Sequence, residues 1–258
     1  MKKNILFCLS IIFLFSNLVF SQTAAQLVEE GDKYYSKFEN ETALEAYKKA
    51  EKLDHNNVEA LWRISRAYVD IGEHMPASTD EQEEAQIAAY QKALEYAEKS
   101  VKTAPDLSVA YLRRAIANGR IALFKGIFSV AGVVNSVKAD LEKAIQLGNG
   151  GNDIQAVAHY VFARTHAKTS DKWKPARSVL GLGWADNEIA LQEYKKAIEL
   201  KPNFIMFYVD YAISLIREDE YKTAREMLNK ALNSPVDDED DDKRKAEAKQ
   251  LLNEIKDE

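Results

Sequence analysis

The chain has 258 residues, of which 46% are hydrophobic, and a sequence of this length can bury a full-sized core. Ten glycines and five prolines are few, while alanine, leucine, glutamate and lysine are abundant, which is typical of an all-helical protein. The formal net charge of −6 argues against a general nucleic-acid binder, because such a protein presents a basic surface.

The first 21 residues are predicted to be a cleaved secretion signal. Lys2 and Lys3 form a positive start, residues 5–20 form an apolar run, and a cleavage point follows Ser21. The run is short for a membrane span, and no second apolar segment is long enough to be one, so the mature chain is expected to lack a transmembrane span. An uncleaved anchor is the alternative.

The only cysteine, Cys8, lies inside this apolar run and not at the cleavage point. We therefore expect no lipid anchor, and in the mature chain neither a disulfide nor thiol chemistry. Residues 22–258 are predicted to form one helical repeat domain, exported to the periplasm or secreted.

The mature chain begins with a clear repeat. Gly31, Tyr34, Ala43, Tyr47 and Ala50 stand at the spacings of the tetratricopeptide repeat, which this segment resembles. The small residues let two helices approach closely, and Gly31 is expected where the two helices cross. The same helical face recurs four more times along the chain. Its further copies are Ala93, Ala97 and Ser100; Val137, Leu141 and Ala144; Ala190, Tyr194 and Ala197; and Ala224, Leu228 and Ala231.

Aromatic residues mark the first helices of the later pairs. Trp62, Tyr111, Tyr160 and Tyr208 are about 50 residues apart, whereas a bare repeat has 34 residues. The sequence therefore predicts an all-α solenoid of about five helix pairs, with long inserts in the middle three.

The three inserts differ in character. Residues 73–84 are polar, and a helix is predicted to begin there at Ser78 or Thr79. Residues 119–136 are apolar, which indicates either a buried helix or an exposed docking hairpin. Residues 168–187 form a predicted loop that contains Trp173 and Trp184.

The chain ends with an acidic run, residues 237–242, and a lysine-rich segment. Acidic residues favour a helix N-terminus, so a polar helix that caps the solenoid is predicted from about Asp241. Weak calcium binding is the alternative for the acidic run, although it lacks the central glycine and the closing glutamate of an EF-hand loop.

Several segments resemble the regulator of microtubule dynamics family, a tetratricopeptide-like group. They are residues 60–67 (ALWRISRA), 111–120 (YLRRAIANGR), 140–145 (DLEKAI) and 231–240 (ALNSPVDDED). The chain is also similar to exported tetratricopeptide proteins of bacteria, and the role that this resemblance implies is protein binding. The cytoplasmic activity that the family name describes is not expected of an exported chain.

The sequence contains no signal for catalysis. It has four histidines but no His-Glu-x-x-His pair and no Gly-x-Ser-x-Gly elbow. His159 and His166 stand two helical turns apart, about 10 Å, which is too far for two ligands of one metal. We predict a non-catalytic protein with neither metal nor cofactor.

The arginines are the most informative charged residues. Most of them fall on the first helices, which line the concave face that solenoids use for binding. Arg66 has Asp70 four positions on, which predicts a local ion pair. Arg113, Arg114 and Arg120 have no such neighbour. They require either partners on other helices, with Glu81, Glu83, Glu84 or Asp140 as candidates, or the carboxylates of a bound acidic peptide.

The function predicted from the sequence is an exported, non-catalytic scaffold for protein–protein or peptide binding in its concave groove. The alternative is a small-molecule or polysaccharide-binding protein that uses the loop from Trp173 to Trp184, because aromatic faces stack on sugars. The predicted partner-binding residues are Arg63, Arg66, Arg113, Arg114, Arg120, Arg164 and Trp184.

Overall fold

The computed structural model describes residues 22–258, and over that range it contains α-helices and no β-strand. The predicted secretion signal, residues 1–21, lies outside the described residues. The twelve helices of the described range are α1 (Ala24–Tyr35), α2 (Asn40–Leu53), α3 (Val58–His74), α4 (Asp80–Thr103), α5 (Ser108–Lys125), α6 (Ala131–Leu147), α7 (Gly151–Ser170), α8 (Lys174–Val179), α9 (Asn187–Leu200), α10 (Ile205–Ile216), α11 (Tyr221–Asn233) and α12 (Asp241–Glu254).

The helices pack as five pairs in chain order, which confirms the predicted all-α solenoid. The pairs are α1 with α2, α3 with α4, α5 with α6, α7 with α9, and α10 with α11. Helix α12 packs on α10 and α11 and covers the end of the stack, as predicted for a cap. Within residues 22–258, none of the helices is long and apolar enough to cross a membrane.

The repeated helical face forms the contact within each pair. Ala43, Tyr47 and Ala50 have no accessible surface, and the corresponding residues of the other pairs are buried as well. At Gly31 an added Cβ atom would lie 2.3 Å from Cε1 of Tyr47, so the crossing of α1 and α2 admits only glycine there. This confirms the role predicted for Gly31.

The first two inserts mainly lengthen helices. Thr79 caps α4, because its hydroxyl accepts a hydrogen bond from the backbone N–H of Gln82 at 3.3 Å. In residues 119–136, α5 and α6 meet across a short turn in which Ile127 is buried while Phe128 is 39% exposed. Its apolar side chains are therefore divided: Ile121 and Val134 are buried like Ile127, whereas Leu123 is exposed like Phe128.

The third insert is more ordered than predicted. Residues 168–187 contain the end of α7, the short helix α8 and the start of α9, instead of one continuous loop. Arg177 holds the turn that follows α8, since its Nη1 donates to the carbonyl of Ala185 at 2.6 Å and its Nε to that of Lys172 at 3.1 Å. The sequence does not predict these hydrogen bonds, because residue spacing does not show which backbone carbonyls an arginine side chain reaches.

Candidate binding cavity

The first helices of the middle pairs enclose a cavity of about 560 Å³, which we call the interior cavity. Its wall is formed by α3, α5 and α7, by part of α6, by the segment from the end of α1 to the start of α2, by the start of α10 and by residues 237–240. A volume of this size is typical of ligand-binding sites.

Apolar side chains form much of the wall, and charged side chains are set among them. The apolar residues include Ile116, Val137, Val157, Val161 and Phe207. The charged residues of the wall include four of the predicted arginines, Arg66, Arg113, Arg120 and Arg164, and the carboxylates of Asp70 and Glu73. The interior cavity is therefore suited to a ligand that is largely apolar and carries a charged group.

Of the four arginines in the cavity wall, Arg113 on α5 is the one without an ion-pair partner among residues 22–258. Its Nε is inaccessible to solvent and has no hydrogen-bond partner among residues 22–258. The guanidinium carbon lies 5.6 Å from the ring centre of Trp62. Burial, together with the positive charge of Arg66, lowers the pKa of Arg113 to about 10, so the side chain is still protonated at neutral pH. A buried cation of this kind is stabilised by any anion that enters the cavity.

Arg66 on α3 does not form the ion pair that the sequence predicts. Its guanidinium lies over the ring of Tyr35, with Cζ 3.4 Å from the ring centre, and the carboxylate within reach is that of Asp32, at 3.6 Å. Asp70 instead accepts a hydrogen bond of 2.8 Å from the hydroxyl of Tyr35. The prediction of an Arg66–Asp70 pair was wrong because α1 supplies partners for both residues.

Arg63 and Arg114 lie outside the wall of the interior cavity and have acidic partners. Nε of Arg63 lies 2.7 Å from Oδ1 of Asp32. Arg114 forms two hydrogen bonds with Asp140 on α6, at 2.8 and 2.6 Å. For Arg114 the interpretation as an ion pair between helices, with Asp140 as the partner, is the one that the structure favours.

Arg120 and Arg164 line the interior cavity and are already paired. Arg120 forms an ion pair with Glu73 of α3. Arg164 has Nε 3.5 Å from Oδ2 of Asp210 and donates from Nη1 to the hydroxyl of Tyr160 at 3.4 Å. Both guanidinium groups therefore already have carboxylate partners, and Glu73 lines the cavity beside Arg120.

Trp184, the remaining predicted site residue, does not line the interior cavity. Its Nε1 donates to Oδ1 of Asn135 at 2.7 Å, and its ring packs edge-on against His166, with 5.0 Å between ring centres. Trp173 is 73% exposed. Because Trp184 is used as a packing residue, the proposed pair of tryptophan faces for a sugar gains no support.

The two histidines of α7 have separate partners. Nδ1 of His159 lies 2.5 Å from a carboxylate oxygen of Glu193, and Nδ1 of His166 accepts the backbone N–H of Asp186 at 3.2 Å. Among residues 22–258, no cluster of three or more histidine, cysteine, aspartate or glutamate side chains could hold a metal ion.

Sequence reasoning missed the acidic residues 237–240 as part of the cavity wall. Helix α12 begins at Asp241, as predicted, but the four residues before it extend across to the first two helix pairs. Oε2 of Glu239 accepts a hydrogen bond of 3.0 Å from Nδ2 of Asn40, and Nε2 of His74 lies 3.7 Å from Glu239 and 3.8 Å from Asp240. No local sequence signal predicts this contact.

Five stacked helix pairs with a capping helix and an interior cavity define an α-solenoid of the tetratricopeptide type. A profile of the family described as "Regulator of microtubule dynamics protein 1-3" matches residues 27–256, and the chain belongs to this family. Regulator of microtubule dynamics protein 1 of Bos taurus is 27% identical over 238 residues, covering 88% of this chain and 70% of that protein. Protein 2 of Mus musculus is 28% identical over 204 residues, covering 77% of this chain and 48% of that protein.

Solved structures agree on the fold. The thermophilic tetratricopeptide protein TTC0263 of Thermus thermophilus superposes with a TM-score of 0.62 at 18% identity, covering 89% of this chain and all of that one. The pilF protein of Pseudomonas aeruginosa superposes with a TM-score of 0.54 at 11% identity, covering 90% and 91%. At these identities the likeness concerns the fold alone.

Proposed function

We propose that the protein is a non-catalytic scaffold that binds a peptide segment of a partner protein in the interior cavity. The observation that carries the proposal is Arg113, a protonated side chain whose buried Nε has no hydrogen-bond partner and which has no ion-pair partner among residues 22–258. Tetratricopeptide folds are stacked repeats whose concave faces serve as extended binding surfaces, which supports a protein partner.

The side chains of the cavity wall limit the kind of ligand that can bind. Arginine binds a carboxylate through two parallel hydrogen bonds, and the apolar residues around it favour an apolar neighbour to that carboxylate. A segment with many acidic residues would be repelled by Asp70, Glu73 and residues 237–240 of the same wall. The ligand that fits best is therefore an apolar segment with a single carboxylate, such as the C-terminus of a partner chain.

We further propose that the scaffold acts outside the cytoplasm. The support is the signal-like composition of residues 1–21, with two lysines before an apolar run. Fractionation of the native host tests this proposal. Recovery of a chain shortened by about two kilodaltons from the periplasm or the medium supports it, and recovery of the full-length chain from the cytoplasm contradicts it.

Selection from a peptide library with random C-terminal residues and free carboxylates tests the binding proposal. Arg113→Gln is expected to weaken binding of a selected peptide by about 10- to 100-fold, because a hydrogen bond to a charged group contributes roughly 1.5–3 kcal/mol. Amidation of the peptide should cause a loss of similar size in the unaltered protein and none in Arg113→Gln. Lys92→Gln, which removes one exposed positive charge from α4, is the matched control.

Two results would contradict the peptide proposal. The first is that no peptide is enriched, or that Arg113→Gln binds as well as the unaltered protein. The second is that decanoate, an alkyl carboxylate without peptide groups, displaces every selected peptide with higher affinity. That result would assign the cavity to a small amphipathic anion.

A further inference from the structure

Residues 237–240, which we call the acidic strap, cross one side of the interior cavity. They connect α11 to α12, and all four residues line the cavity. The carboxylate of Asp241 holds the base of the strap, since one of its oxygens accepts the backbone N–H groups of Asp237 and Asp238, each at 2.8 Å. The strap is therefore a shaped turn and not an extended tail.

The far side of the strap rests on the beginning of the solenoid. Glu239 accepts a hydrogen bond from Asn40 at the start of α2. His74, at the end of α3, lies within ion-pair distance of Glu239 and Asp240. These contacts hold the connection after the last pair against the first two pairs, with the interior cavity beneath it.

The strap is held by side chains that are still open to solvent. The side chain of His74 is 37% exposed and that of Glu239 is 34% exposed, so water screens their attraction. The strap also approaches carboxylates of the cavity wall. Burial raises the pKa of Asp238 above its usual range. The hydrogen bond from the backbone N–H of Asp240 opposes this rise, and the charges of Asp241, Asp240 and Asp70 add to it. A segment that is weakly anchored and faces like charges opens at low cost.

We propose that the acidic strap is a displaceable lid that controls entry to the interior cavity and is anchored by Asn40 and His74. This inference concerns the regulation of the site named above, and in that respect it rests on the proposed function. The occupant of the closed position is a segment of the same chain, so closure needs no second molecule.

The charged groups that face the strap make its opening depend on pH. His74 is surrounded by the carboxylates of Glu239, Asp240 and Glu73 and by the backbone carbonyl of Asp70, whose oxygen lies 2.8 Å from Nδ1. Burial lowers the pKa of His74, but the hydrogen bond to Asp70 and the nearby carboxylates outweigh it, and the net shift is upward.

A histidine with a raised pKa stabilises the closed strap below that pKa, and the stabilisation is lost as the pH rises through it. The raised pKa of Asp238 acts in the same direction, because protonation removes its repulsion. The strap is therefore expected to close in mildly acidic solution and to open as the pH rises.

Thiol labelling of a cysteine in the cavity wall tests the lid without any ligand. The chain has one cysteine, so Cys8→Ser with Thr165→Cys gives a single reporter of similar size to the native residue on α7. Its reaction with a bulky maleimide is expected to be at least tenfold faster after Asn40→Ala combined with His74→Ala. His55→Ala, which removes an exposed histidine paired with Glu51, is the control and is expected to leave the rate unchanged.

The pH dependence provides a second measurement. The rate ratio of the double variant to the unaltered strap should fall as the pH rises through the titration of His74, to the value that the Asn40 anchor alone maintains. The milder variant His74→Gln should lose this pH dependence. Circular dichroism verifies that each variant is helical.

Equal labelling rates for the unaltered strap and the double variant at every pH would contradict the proposal that the strap is a lid. The two proposals fail separately. If the anchor variants label faster but no peptide binds, only the proposed function is contradicted. If a peptide binds and associates equally fast in the unaltered protein and in the anchor variants, only the lid is contradicted.

Discussion

Tyr160 of α7 donates a hydrogen bond of 2.7 Å to Asp210 of α10, and both side chains are buried. Arg164 of α7 lies 3.5 Å from the same carboxylate, and Arg244 of the cap helix α12 lies 3.7 Å from it. Burial raises the pKa of Tyr160, so its hydroxyl remains a donor throughout the neutral range. One aspartate thus links the fourth pair, the fifth pair and the cap.

We expect Asp210→Ala to lower the free energy of unfolding by about 3–5 kcal/mol, because it leaves buried positive charge without its partner. Urea denaturation measures the change, with Asp257→Ala as the control at an exposed acidic position. A loss below about 1 kcal/mol, the range of surface ion pairs, would show that the carboxylate is not a structural link.

A second prediction concerns the crossing of α1 and α2. Gly31→Ala places a Cβ atom 2.3 Å from the ring of Tyr47, and we expect it to lower the free energy of unfolding by about 1–3 kcal/mol. Gly119→Ala in α5, where an added Cβ meets nothing within 4 Å, should instead raise it by about 0.5–1 kcal/mol.

Thermal denaturation of these two glycine variants shows whether packing or helix propensity determines the effect of each substitution on stability. Opposite signs are expected. Stabilisation by both substitutions would mean that Tyr47 moves aside without cost and that the crossing does not require glycine.

A third prediction concerns Arg114 and Asp140, which join α5 to α6. A double-mutant cycle with Arg114→Gln and Asp140→Asn should give a coupling energy of about 1–2 kcal/mol, since two hydrogen bonds join the side chains and Asp140 is buried. Glu29 and Lys33, an exposed pair on α1, provide the reference cycle, with an expected coupling below about 0.5 kcal/mol. Equal couplings for the two pairs would contradict the prediction.

A fourth prediction concerns pH and His166. Burial, aided by the charge of Lys138, lowers the pKa of His166 below its usual value. The unfolded chain therefore binds a proton more readily than the folded one, and the free energy of unfolding should fall as the pH drops below about 6.5. His166→Asn keeps an acceptor near the backbone N–H of Asp186 and is expected to lose this part of the pH dependence.

Urea midpoints at pH 5.0 and 7.5 measure this effect. His55→Asn at an exposed position is the control and should retain the dependence. The same slope in the unaltered chain and in His166→Asn would exclude His166 as its source.

The buried faces of the helices could be predicted from the sequence because they depend on local spacing. Ala93 and Ala97, or Ala190 and Tyr194, stand one turn apart, and a one-turn spacing places two residues on the same face in any α-helix. The number of pairs followed from the recurrence of these faces. Helix α8 was missed since its six residues are too few to show a period.

The candidate site could be predicted only in part. Spacing along one helix suggested an ion pair between Arg66 and Asp70. In the structure Arg66 instead contacts Asp32 and Tyr35 of α1. Spacing also could not separate Arg113, which has no acidic partner in residues 22–258, from Arg114, which has Asp140. Both outcomes depend on helices that are distant in sequence.

The hydrogen bond between Asn40 and Glu239 joins residues that are 199 positions apart. In an open array each repeat contacts only its neighbours, so the terminal repeats can unfold independently of one another. Here the loss of α1 and α2 also removes an anchor of the segment that precedes the cap, which couples the opening of the two ends of the chain. Because this contact opens at low cost, the coupling is weak: loss of α1 and α2 should speed the exchange of amide hydrogens at the start of α12 without unfolding that helix.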